Sequence, residues 1–81
     1  MRLADGRIVV FGGEQLGAGG TTIAPVELFD PRRRRWSGLP DMLTPRHGLG
    51  GVALGNRIYA FAGGVSPGFS FSCAVEALDV R

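Results

Sequence analysis

The sequence predicts an all-β fold, and three observations lead there. Glycine fills 14 of 81 positions while hydrophobic residues make up 44%, a balance that suits short strands and tight turns rather than a disordered chain. An apolar strand closed by glycines occurs twice, as Arg7-Ile8-Val9-Val10-Phe11-Gly12-Gly13 and as Arg57-Ile58-Tyr59-Ala60-Phe61-Ala62-Gly63-Gly64. Such a run needs cover on both faces, and the glycines allow a turn where a side chain would clash. Each copy is followed by a loop and then by a Val-Glu strand ending in Asp, first Val26 to Asp30 and then Val75 to Asp79.

The elements follow in order. Leu3-Ala4-Asp5-Gly6 reads as the tail of a strand and a tight turn, with Asp-Gly supplying the positive φ. Residues 7 to 11 form the first apolar strand, and Glu14 to Pro25 is a long loop without periodicity, the kind of segment that carries binding on a rigid sheet. Val26 to Asp30 is a strand closed by Asp30-Pro31, because proline cannot donate to a ladder. After the arginine run, Trp36-Ser37 makes a short strand. Leu39 to Pro45, with two prolines, is an irregular connector. Leu49 to Leu54, a turn at Gly55-Asn56, Ile58 to Ala62, a loop from Val65 to Ser72, and Val75 to Asp79 repeat the pattern.

Matching features recur about 50 residues apart: Arg7 with Arg57, Gly13 with Gly64, Val26 with Val75. In that ordered set the chain resembles the kelch repeat family. Thr44-Pro45-Arg46-His47-Gly48-Leu49-Gly50 is similar to the family's repeat opening, and Phe29 and Trp36, six residues between them, resemble its aromatic pair on the third and fourth strands. The resemblance implies a partial kelch-type β-propeller, built from antiparallel four-stranded blades of which this chain holds two incomplete ones. Residues 1–38 would be the first repeat, strands two to four, and 39–81 the second, strands one to three. The remaining blades would come from elsewhere in a longer protein, since a ring needs about six repeats of roughly 50 residues.

Charge narrows the partners. All nine basic residues are arginine, four of them at Arg32 to Arg35; without that run, five arginines face seven carboxylates. A chain-wide field for nucleic acid or an anionic membrane is not expected. The run itself can be read as a dock for phosphate or an acidic partner, or as a solvated turn between strands; the absence of interleaved aromatics favours the turn. The single Cys73 forms no internal disulfide and stands as a small buried residue or a loop thiol. Arg2, Asp5 and Arg7 interrupt any secretory h-region, and the apolar stretch 48–65 is broken by Asn56 and Arg57, so a soluble protein without a transmembrane span is expected.

The resemblance also implies that the connector entering a blade, together with the loops after Gly-Gly, lines one mouth of the propeller. Arg46 and His47 are therefore the expected contacts to a protein or peptide partner. The competing reading has Arg46 pairing with a carboxylate between blades and His47 hydrogen-bonding a turn. Glu27 and Glu76, at matching places, read as a repeated structural pair rather than an acid/base dyad. The glycine loop at residues 17–20 leads to a strand and the chain has no lysine, which argues against a phosphate cradle. The expected function is an interaction scaffold with no catalysis and no cofactor of its own. The alternatives are a piece of a kelch-propeller enzyme, of the sugar oxidase or sialic-acid epimerase type, and a non-functional truncated fragment. A copper site would want several imidazole or phenolate ligands, and this chain offers one His and one Tyr.

Overall fold

The computed structural model describes residues 1–17 and 19–81. Of the glycine loop at 17–20, Ala18 lies outside the described residues. Among the described residues eight strands form three antiparallel sheets: β1 (Ile8–Val10), β2 (Glu14–Gln15), β3 (Thr21–Thr22), β4 (Val26–Asp30), β5 (Arg35–Leu39), β6 (Gly50–Leu54), β7 (Arg57–Phe61) and β8 (Val75–Asp79). The first large sheet has the order β1-β4-β5 and the second β6-β7-β8, while β2 and β3 make a small separate hairpin. The chain is all-β and antiparallel, as a partial kelch-type propeller requires. Neither β4 nor β8 departs from its expected bounds, whereas β1 is shorter than the run 7 to 11 and β5 longer than Trp36-Ser37.

Register explains the core. Val9, Val26 and Leu28 of the first sheet are buried, as are Ile58 and Ala60 of the second. Side chains alternate across a strand, so Val26 and Leu28 share one face of β4, and Ile58 and Ala60 one face of β7. These faces pack together with Leu3, Met42 and Val80 in one apolar cluster. The opposite faces keep apolar groups in view, among them Val10, Trp36, Val52 and Phe61, which is what a stack of two blades without further neighbours presents. Phe29 and Trp36 are direct cross-strand partners with ring centroids 4.9 Å apart, the aromatic pair the resemblance implied.

The turns fall at two ends. At one, Gly6 (φ 94°) closes the loop from Leu3 to Arg7, Gly55 (φ 62°) opens the two-residue β6–β7 turn, and Asp30 holds the β4–β5 turn by accepting the amides of Arg32 and Arg33. Arg34 completes that turn in the left-handed region at φ 50°. The amide of Ala4 donates to Gly55 O at 3.2 Å, tying the turns of the two sheets together. We call this the turn end. The other, the loop end, carries the long connections after β1 and β7 and the connector between the sheets.

The loop after β1 contains the β2–β3 hairpin, with Glu14 opposite Thr22 and Gln15 opposite Thr21. No such element is expected from the sequence, because two-residue polar strands have no hydrophobic period. The paired glycines also differ between repeats. Gly12 and Gly13 adopt φ of 80° and 107°, but in the second repeat the left-handed pair is Ala62 and Gly63, at 61° and 79°. Structurally the repeat is 50 residues here, and Gly64 is required for another reason: a Cβ there would run into Ser70 Oγ and lie 2.7 Å from the backbone oxygen of Ser70 and 2.9 Å from His47 Nε2.

Candidate interaction site

The connector from Pro40 to Leu49 is threaded between the two glycine turns. Gly13 N–H donates to Arg46 O at 2.9 Å, and a Cβ at Gly63 would stand 2.7 Å from His47 O. His47 and Gly64 exchange backbone hydrogen bonds of 3.0 and 2.9 Å, forming an isolated antiparallel bridge. Residues 46 and 47 thus touch the end of β1 on one side and the end of β7 on the other, which is why the sequence there is polar yet irregular.

The Arg46 side chain is fully buried. Its Nε donates to Thr44 O at 2.9 Å, one terminal nitrogen donates to Ala62 O at 2.9 Å and Ala74 O at 2.6 Å, and the other reaches Ala60 O at 3.4 Å. Ala62 and Ala74 lie just beyond the paired residues of β7 and β8, and a guanidinium supplies their carbonyls with donors. Glu76 completes the arrangement, its carboxylate 3.8 Å from Arg46 and accepting Thr44 N–H at 3.0 Å. A buried charge is tolerable only when paired and hydrogen-bonded in this way. Arg46 is one of the two residues expected to contact a partner; here its five donors are turned inward, and its work is to fix the connector against β7 and β8. The carboxylate it meets is on the second sheet. Among the described residues Glu27 has no ion pair.

His47 is positioned differently. Its side chain is partly exposed, with Nε2 2.8 Å from Ser66 O and 3.6 Å from Glu14 Oε2. Both neighbours accept, so Nε2 carries the proton. Glu14 also accepts Gly68 N–H at 3.1 Å, and Thr22 Oγ1 donates to Val65 O at 3.3 Å. The loop of the first sheet is therefore stitched to the loop of the second, with His47 at the seam. Ser70 braces the second loop from within, donating to Ser66 O at 2.6 Å. Beyond these polar contacts the loop turns Phe69 and Phe71 almost wholly into solvent.

His47, expected from the sequence to contact a partner, lies at this seam, whereas Glu14, Phe69 and Phe71 beside it were not expected there. The two phenylalanines, alternating with serine in a loop, were the available signal. Cys73 sits exposed in the same loop, so of its two expected settings the structure has the second. Among the described residues no group of three His, Cys, Asp or Glu side chains is close enough to hold a metal ion, and no helix is long and apolar enough to cross a membrane.

No family model matches the chain. It is 43% identical over 76 residues to kelch domain-containing protein 8B of Rattus norvegicus, an alignment covering 94% of this chain and 20% of that protein. The relatives are kelch proteins. The proteins of the same name from Mus musculus and Homo sapiens share 43% and 42% identity over the same length. The chain spans about a fifth of the length of these curated relatives. Their kelch name agrees with the all-β stack, the repeated glycine turns and the Phe29–Trp36 pair.

Proposed function

We propose that this chain is part of a kelch-type interaction scaffold, residues 1–38 and 39–81 forming two of its repeats, and that its loop end binds a protein or peptide. The observation that carries this reading is the convergence of loops from both sheets on one seam at Glu14, His47 and Ser66, with Phe69 and Phe71 exposed beside it. Exposed aromatics on a braced loop are the common anchors of protein recognition, because they bury large area with few rotamers to fix. Arg46 acts here as a positioning residue. It holds the connector so that His47 faces the seam, and binding contacts fall to His47 and the loop at 65–72.

The test uses the full-length protein that contains this segment. Partners recovered by pull-down are compared between the parent and the Phe69→Ser/Phe71→Ser and His47→Ala variants, each checked for an unchanged circular dichroism spectrum. The reading expects the phenylalanine variant to lose a discrete partner and the histidine variant to weaken it. Undiminished recovery in both defeats it.

A further inference from the structure

Every arginine except Arg46 lies at the turn end. Arg2 and Arg7 flank the first turn, Arg32 to Arg35 form the β4–β5 turn, Arg57 follows Gly55-Asn56, and Arg81 follows β8. The carboxylates there are Asp5, Asp30 and Asp79. Eight arginines against three aspartates give a formal +5. The loop half holds Arg46 against Glu14, Glu27, Asp41 and Glu76, a formal −3, and together they make the chain's +2. The small net charge conceals a strongly polarised molecule.

The two sheets share this cationic end. Besides the Ala4–Gly55 hydrogen bond, Arg7 donates from a terminal nitrogen to Arg81 O at 3.0 Å. Between the β4–β5 turn and the first turn runs an open groove lined by Arg2, Asp5, Arg7, Asp30, Arg32 and Arg33. Asp5 is engaged by Arg7, at 2.8 and 2.9 Å, and Arg33 only approaches Asp30, at 3.9 Å. Among the described residues no carboxylate lies within 4.0 Å of a guanidinium of Arg2, Arg32, Arg34, Arg35 or Arg81, and all five residues are exposed.

We infer that the turn end is a second docking surface, separate from the loop end, and that it takes an acidic polypeptide segment. The chemistry of the occupant is already displayed at this end: Arg57 grips Asp79 in a two-pronged contact, Nε to Oδ1 at 2.6 Å and a terminal nitrogen to Oδ2 at 3.0 Å. Guanidinium forks match carboxylates in this geometry. Asp5 and Asp30 interrupt the cationic groove, which would oppose the continuous phosphate charge of a nucleic acid, about one per 1.7 Å of duplex axis. A peptide, advancing about 3.4 Å per residue when extended, can set its carboxylates against the arginines and step past the aspartates.

The experiment titrates a fluorescein-labelled octaglutamate peptide into the full-length protein at low and at physiological salt. A single-stranded oligonucleotide of equal charge and vesicles of phosphatidylserine with phosphatidylcholine are run beside it. Expected are saturable peptide binding that weakens with salt, a loss of about tenfold in the Arg32→Gln/Arg33→Gln variant, and no change in His47→Ala. These arginines are exposed and outside the core, so the variant keeps its fold. Absence of peptide binding at low salt, equal affinity in the arginine variant, a loss in His47→Ala, or tighter binding of the oligonucleotide or vesicles would each overturn the inference.

Discussion

The loop end and the turn end of the stack use the same side chain in opposite ways. At the loop end a single arginine is buried, its donors shared among four carbonyls and one carboxylate. At the turn end eight arginines stand at the surface or close to it, and among the described residues five of them have no carboxylate within 4.0 Å. The difference shows that arginine's role is set by which backbone groups the fold leaves unpaired. Just beyond Phe61 and Val75, where only the Ala62 N–H to Ala74 O bond continues the β7–β8 pairing, Arg46 adds donors to the carbonyls of Ala62 and Ala74. Where short turns satisfy their own backbone, the guanidiniums stay free for solvent or a partner.

The largest expected effect breaks this contrast at its buried member. Replacing Arg46 by Met removes the donors it shares among four carbonyls and leaves Glu76 without its ion pair, and should lower the stability of the full-length protein by about 3 kcal/mol. Arg32→Met at the other end should change it by less than about 0.5 kcal/mol. Urea unfolding of the two variants reads both numbers, and equal costs would refute the division of roles.

Glycine substitutions sharpen the comparison next. Gly63→Ala combines a left-handed φ of 79° with a Cβ 2.7 Å from His47 O, and should destabilise by about 2–3 kcal/mol. Gly6→Ala has a φ of 94° but nothing within 4 Å of the added Cβ, so only the conformational cost of about 1–2 kcal/mol remains. The reverse exchange, Arg34→Gly at φ 50°, should stabilise the turn end by about 0.5–1 kcal/mol. Thermal unfolding midpoints rank the three.

Much of this was legible in the sequence. Val26 to Asp30 and Val75 to Asp79 were readable because apolar residues bracket a single glutamate and an aspartate closes each run. The β2–β3 hairpin was not, since Glu14-Gln15 and Thr21-Thr22 owe their pairing to the loop that folds over them. His47 could be named from its place in the connector, but its partner Glu14 lies 33 residues earlier and meets it only after both sheets stack. The burial of Arg46 was not legible for a related reason: the groups that hold it are mostly backbone carbonyls, of Thr44, Ala60, Ala62 and Ala74, which sequence does not distinguish from any other carbonyl. Likewise the near balance of arginines and carboxylates hid a separation that only strand register discloses.

The smallest effect concerns the exposed pairs. Hydrogen bonding from Arg57 holds the Asp79 carboxyl below the ordinary value of 3.8, and hydrogen bonds from Arg7 do the same for Asp5. Because both values are depressed in the folded chain, any stability they add is present above the ordinary aspartate range and fades as pH falls through the lowered values. Both pairs face solvent, so Asp79→Asn should leave the unfolding midpoint at neutral pH nearly unchanged and only soften the acid limb of the pH profile. A large shift at neutral pH would mean that the turn end depends on its pairs as the loop end depends on Arg46.

Amide hydrogen exchange on the full-length protein tests the central division most directly, with Arg46→Met compared against the parent. The account predicts faster exchange at His47 and Gly64, whose amides bond between the connector and the end of β7, and at Ala62, whose amide donates to Ala74 O, one of the carbonyls Arg46 holds, while Leu3, Ala4 and Val80 at the turn end keep their rates. Equal acceleration at both ends, or none at the loop end, would contradict it.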